Sequence, residues 1–578
     1  MTRKMSRTGV DLWVKAEPFS YGALPVAPHP RLNFSNIKKI LIYAKSKGSA
    51  GFPKLSYSVW KHIACHKMQL TEDLAWVYFE TCYFLTTDML AIERAERVKS
   101  IGDCKTPEEG VLQRAKYSID TLKFVLYLYI QLLYKVSLRA SLLAGDEWPT
   151  QTMSLDLDGR STPRSSKSLD DHSHLVFIQS NIAEIIELLS EQDASKSGSI
   201  SENSTVHGSL SLSAVEALSF IITGCIEKSV EKKTIMPLQD IAVLQSIQYY
   251  SGYSKATKTF SLRQFLIWLK DNLIMNPYSV SACIALGTRL SWPFGGEGER
   301  DATTVSTSTK RGKIATNAQI VPKEHVTGNK LIIMSQVSKQ TIARSSGTLE
   351  RSTIKIHRSH FSYIYLLSPL RSVTVEKCRN TTVVLGAIEA FVHISNCEGV
   401  TVICPCRSIM ISGCTQCTFY LLTSNRPLLL SGNKKLMLAP YNTYYSHLEE
   451  HMSYAGLTAS VNLWDNPLCI GPDHSDETPA WELLPPADFG ISVIPFQMDG
   501  PTKSIPGGLP GRYHRAVVQR QKQVDSWQRT VKEAGLNREQ RREFQALVES
   551  RFHMWLAETG HKRELDSLAV PQQHHGQS

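Results

Sequence analysis

At 578 residues the chain is too long for one ordinary domain and long enough for two or three, each with its own core. Contents of 42% hydrophobic and 20% charged residues are ordinary for a soluble globular protein and exclude a disordered or fibrous chain. A net charge of +11 permits anionic partners such as acidic protein tails, phosphoinositides or RNA, but selects none of them.

Met1 to Val10 is polar and basic, so no secretory signal is expected. The most apolar stretch, Phe124 to Tyr134, contains Gln131 and is closed by Lys123 and Lys135. It is far shorter than the roughly 20 residues a span requires and predicts a buried helix rather than a membrane span. The 12 cysteines, in a chain with no secretory context, are expected to be reduced thiols, and the protein cytosolic.

Residues 1–290 are expected to form an all-helical N-terminal domain. Apolar residues recur at helical spacing across Leu70–Val98, where Thr71 is a candidate cap with Glu72 and Asp73 in the first turn. Further helices are expected at Gln113–Ala144, His174–Glu191, Ser213–Val230, Leu238–Tyr250 and Leu262–Ile274. Trp60, Trp76 and Trp268 read as core anchors. Polar, Ser-rich inserts near 150–172 and 192–211 predict flexible loops, and 295–329 a flexible linker. Gly295, Gly296 and Gly298 in that linker lack the strand before and the Lys-Ser/Thr after that a phosphate loop needs.

Between 330 and 445 the period changes. Ile354-Lys-Ile356, Val373-Thr-Val375, Val392-His-Ile394, Ile409-Met-Ile411 and Leu428-Leu-Leu430 share one phase. Three residues beyond each comes Ser359, Cys378, Cys397, Cys414 or Asn433, and a second short strand follows. Five repeats of strand, small-residue corner and strand predict a solenoid whose coils stack in parallel. Residues 446–512 read as a Pro-containing irregular segment, 513–560 as a charged helical hairpin with an apolar face, and 561–578 as a disordered tail. The fold class is thus multidomain α + β: helical region, parallel β-helix, short C-terminal helical extension.

Two clusters invite a chemical reading. Cys404, Cys406, Cys414 and Cys417 have the spacing of a tetrahedral zinc set. Yet Cys414 belongs to the corner column and Cys404 and Cys406 end a strand, so the periodicity explains them without metal. His172 and His174, after Asp170 and Asp171, sit where a polar insert meets a helix, as solvated histidines often do. No hydrolase elbow, zincin helix or Walker loop is present, nor a basic stripe with interleaved aromatics, so no cofactor and no nucleic acid are expected.

A solenoid of this coil length, closing in Leu438-Ala-Pro-Tyr441, resembles the C-CAP/cofactor C-like domain family. That resemblance implies a right-handed parallel β-helix like those of tubulin-folding cofactor C, the X-linked retinitis pigmentosa protein and cyclase-associated proteins. The opening Leu12-Trp-Val-Lys-Ala-Glu-Pro-Phe19 and Trp60-Lys-His-Ile-Ala-Cys65 resemble a centrosomal branch of the family. The implied role is a non-enzymatic scaffold that positions the centrosome relative to the nucleus and supports Golgi organisation, cell shape and migration. The implied location is cytoplasm, cytoskeleton, centrosome and spindle pole. Implied partners are centrosomal or cytoskeletal proteins, including tubulin or an Arf-like GTPase.

The family also implies an enzymatic alternative. Two of its members activate GTPases through an arginine in a Cys-Gln-Gln-x-Arg segment, because charge on the transferring phosphate needs a planar, permanent cation. Placing that cysteine on Cys406 gives Cys406-Arg-Ser-Ile-Met410, so the arginine position holds Met410 and both glutamines are lost. Arg407, three residues away on a strand, is expected on the opposite face. Arg426 and Arg371 are the remaining substitutes. The expectation is a protein that is not an enzyme, with a docking module lacking its finger as the alternative.

Overall fold

The computed structural model describes residues 9–104, 106–134, 152–155, 161–164, 171–190, 208–229, 232–290, 313–322, 330–345, 347–471, 479–496 and 498–559. It divides into two compact units, each non-contiguous in sequence. The first is drawn from Met1–Asp88, Cys104–Ala285 and Ile320–His325, the second from Met89–Asp103, Leu286–Gln319 and Val326–Ser578.

Helices dominate the first unit, and their ends follow local chemistry. Thr71 Oγ1 accepts from the Leu74 amide at 3.3 Å and starts the helix Glu72–Thr86, as the sequence predicts. The expected single helix to Val98 breaks after Thr86, where Thr87 turns extended. A new helix, Ala91–Gly102, restarts where Glu93 accepts from the Leu90 amide at 3.0 Å, and it belongs to the other unit. Thr121–Ile130 is buried at every position but Lys123. Gln131 just beyond it is buried too, and its amide is satisfied by the Gly22 and Tyr127 carbonyls and the Leu24 amide. Trp60 is fully buried, packs edge-on to Phe124 and donates from Nε1 to the Ala75 carbonyl at 2.8 Å. Among the described residues no helix is long and apolar enough to cross a membrane.

The region is helical but not all-helical. Ile222–Ser229, read as helix from its apolar spacing, is a strand in a four-stranded sheet with Leu273–Ile274, Val10–Val14 and Lys232–Pro237. The β-branched run Ile221-Ile222-Thr223 favours the pleat. Gly224 permits close pairing, since a Cβ there would stand 2.7 Å from the Asp11 carbonyl. The opening Leu12-Trp-Val motif is therefore an inner strand. Within the first expected insert, Thr152–Leu155 and Ser161–Arg164 pair antiparallel. Of the second, 191–207 lie outside the described residues, and its end is not a loop, since Ser209–Ser211 is a strand paired antiparallel with Thr259–Ser261.

The second unit is built on a parallel β-solenoid of about six turns over residues 331–440. One face stacks Leu331–Ser335, Thr353–His357, Ser372–Glu376, Ile388–Ser395, the later half of Thr401–Ser412 and Leu428–Leu429. The other stacks Thr341–Arg344, Tyr363–Leu366, Thr382–Leu385, the earlier half of Thr401–Ser412, Thr418–Thr423 and Leu436–Pro440. Inside, Ile332, Ile354, Val373, Val392 and Ile409 form one column, and Met334, Ile356, Val375, Ile394 and Ile411 the next. The predicted phase holds, with two differences. A further coil precedes the first expected repeat, and the last rung pairs Leu428 with Met410 rather than with Ile409. The residue lost in that rung returns in the following turn, where Gly432 (φ 81°) restores Asn433 beneath Cys414.

The small-residue column lies at a corner. The thiols of Cys378, Cys397 and Cys414 donate to the carbonyls of Glu376, Ser395 and Ser412 at 3.3–3.5 Å. Asn433 ends the column, donating to Ile411 and Leu430 at 3.0 and 2.7 Å and accepting from the Cys414 amide at 3.0 Å. Asn433→Ala orphans the buried Cys414 amide and takes the donor from the Leu430 carbonyl, while the Ile411 carbonyl keeps the Leu430 amide at 2.9 Å. The expected cost is about 2–3 kcal/mol; denaturant melts of the two proteins measure it, and an unchanged midpoint refutes the role.

The outer side of the second face is covered by its own chain. Tyr365, Val384, Ile403 and Leu422 pack with Leu448 and Met452 of the helix Leu448–Ala455, and Phe496 meets Tyr365 edge-on at 5.1 Å. The segment expected to be irregular thus holds a helix and the cover of the solenoid. In the expected linker, Lys313–Thr316 pairs antiparallel with Leu331–Ser335; 295–312 lies outside the described residues. The C-terminal pair forms as Gly511–Glu533 and Arg538–Thr559. Tyr513 anchors it, donating from its hydroxyl to the Leu484 carbonyl at 2.7 Å.

Candidate docking face

Along the first face the outward residues also stack. Ile333, Lys355, Thr374, His393, Met410 and Leu428 form one cross-strand row. Its neighbours Ile409 and Ile411 point into the core, so Met410 projects to the outer side by alternation. Met410 is nonetheless buried, and His393 beside it is held neutral, its pKa pushed down to about 3 by burial and then by Lys355. A thioether offers no charge and no donor, so the row has no electrophile at this position.

The three other candidate arginines, Arg407, Arg426 and Arg371, are committed to structure. Arg407 is 2% exposed and sits where one strand passes from the second face to the first. Strand alternation does not carry across that bend, so burial rather than direction withholds Arg407. Arg426 donates to the Asn466 and Pro467 carbonyls at 3.0 and 3.1 Å. Arg371 Nη1 lies 3.0 Å from Glu389, which Arg94 also approaches at 2.5 Å and Arg351 at 3.9 Å. The sequence reading missed this buried acid, although a lone charge in the apolar run from Val383 to Phe391 is a visible signal.

Cys404 and Cys406 are buried in the coil interior and touch each other; Cys414 and Cys417 are buried at the corner and touch each other. The Cys397 thiol holds the Cys414 thiol down, but the Cys417 thiol and then burial outweigh it and push it up to about 12. Among the described residues no group of three or more His, Cys, Asp or Glu is placed to hold a metal ion. His174 is buried and stacks on Phe19 at 4.9 Å in the first unit, a packing role rather than a solvated one.

This solenoid places the protein in the class of TBCC-domain proteins: residues 351–468 match the family described as Tubulin binding cofactor C. Similarity extends well beyond the domain. The chain is 44% identical to the Homo sapiens TBCC domain-containing protein 1 over 571 residues, spanning 98% of each chain. It is 43% identical to the Mus musculus protein (98% of this chain, 99% of the relative) and 41% to that of Danio rerio (98% and 95%). The chain belongs to the TBCC domain-containing protein 1 family.

Proposed function

We propose that the protein is a non-catalytic cytoskeletal scaffold whose solenoid docks partners at the centrosome. In this reading it positions the centrosome relative to the nucleus, with consequences for Golgi organisation, cell shape and migration. The observation that carries the non-catalytic part is Met410: where the resemblance implies an activating arginine, the outer row holds a buried thioether. Arg371 and Arg426, the substitutes, are engaged by Glu389 and by backbone carbonyls. Since an arginine finger contributes on the order of 10³–10⁵ in rate, its absence leaves little activation.

Single-turnover GTP hydrolysis by Arf-like GTPases and by tubulin, with wild type and Met410→Arg, tests this. Wild type is expected to leave the intrinsic rate unchanged. Acceleration by Met410→Arg alone identifies a docking module that kept its GTPase-binding face and lost its finger. Acceleration by wild type overturns the proposal.

A further inference from the structure

Each coil of the solenoid turns its corner through two residues in the left-handed region. The first series is Gln336, Arg358, Lys377, Asn396, Gly413 and Gly432, and the second Lys339, Phe361, Asn380, Gly399, Gln416 and Lys435, all with φ between 45° and 81°. Glycine and asparagine take this conformation with least strain. The last three coils use them at four of their six positions (Asn396, Gly399, Gly413 and Gly432, with Gln416 and Lys435 at the others), whereas the first three use only Asn380 and carry Gln336, Lys339, Arg358, Phe361 and Lys377 at the rest.

Strain and charge therefore coincide. Between the two series runs an outward ladder in which His360 pairs with Arg379, adding a further cation to the same coils. Lys339, Phe361 and Arg379 are exposed, Phe361 by 40%. His360, in their midst, titrates below its ordinary value, through burial first and then through Arg379 and Arg358. Folding alone favours small residues at these turns, so long cationic and aromatic side chains there point to a use outside the fold.

We propose that this edge, centred on Lys339, Arg358, Phe361, Lys377 and Arg379, is a docking strip for an acidic, extended polypeptide segment. Coils repeat at about 4.8 Å, so three coils offer cations over about 10 Å, the reach of three extended residues. Phe361 supplies an apolar contact among them. The strip also carries anions: Glu376 lies 3.2 Å from Lys377 and Glu398 3.2 Å from Arg379. A uniformly anionic bilayer must meet these acids as well, whereas a single extended chain can thread between them. The strip is a different surface from the row holding Met410, and its test is independent of GTP hydrolysis.

The test uses the full chain and a short fluorescent glutamate-rich peptide, read by anisotropy at physiological ionic strength. The edge variant is Lys339→Asn/Arg358→Asn/Lys377→Asn, because asparagine keeps the left-handed turns. A control, Lys54→Asn/Lys67→Asn/Lys116→Asn, removes equal charge from exposed sites in the first unit. The edge variant is expected to lose about tenfold or more in peptide affinity while its Tm holds or rises, and the control to bind as wild type. Equal losses in both variants, or no binding by wild type, overturn the proposal. So does a result in which phosphatidylserine vesicles, but not the peptide, depend on the edge.

Discussion

Glu389→Gln is expected to destabilise the solenoid unit by about 3 kcal/mol at neutral pH, the usual scale for breaking a buried ionic cluster from one side. Glu389 is 7% exposed, and Arg94 and Arg371, at 14% and 18%, converge on one of its oxygens. Glutamine keeps the shape but leaves guanidinium groups buried without a counter-charge. Burial alone raises the carboxyl pKa, but Arg371, Arg94 and Arg351 outweigh it and hold Glu389 below the usual carboxylate range. A group whose folded pKa is depressed stabilises above its unfolded value, about 4.3, and that contribution is lost as pH falls through the folded pKa. The gap between wild type and Glu389→Gln is therefore full at pH 7 and closes in acid below about pH 4. Calorimetric scans across this range measure it; a gap constant with pH removes ionisation as the cause.

Gly386→Ala is expected to be at least as damaging, on the order of 4 kcal/mol. The need here is space rather than backbone freedom. A Cβ on Gly386 would stand 2.2 Å from the carbonyl oxygen and 2.7 Å from the amide nitrogen of Ser368, one coil below. Backbone cannot swing aside as a side chain can, and the coils are held here by Gly386 donating to the Leu366 carbonyl at 2.7 Å. Gly413→Asn is the contrast. Its φ of 59° suits asparagine, and the nearest obstacle, 2.8 Å from a Cβ, is the movable Asn396 side chain. Equal melting temperatures for Gly386→Ala and wild type would show that the coils part easily.

These two residues also show what sequence reasoning could and could not reach. The solenoid is legible because alternation and a repeated small-residue corner survive in one dimension: Val373, Val392 and Ile409 announce their own register. The first coil escaped because its turn is longer, so that Ile332 and Ile354 stand further apart than later partners. Ile222–Ser229 was misread because a short apolar run fits either period until a pairing strand is known. Met410 was found through a resemblance, and its outward placement follows from Ile409 and Ile411. Glu389 was not found as a site, since Arg371, Arg351 and Arg94 meet it only in three dimensions.

The helix Ala91–Gly102 carries a consequence for the order of events at the ribosome. Arg94 is made 295 residues before the glutamate it pairs with. At about 5–20 residues per second this helix waits between about 15 and 60 s for its partner. During that interval Arg94 has no Glu389 to neutralise it, and the helix Leu448–Ala455 that this helix packs against has not yet been made. Once the coils form, this early helix closes against late ones, so the beginning of the message is read into the structure near its end.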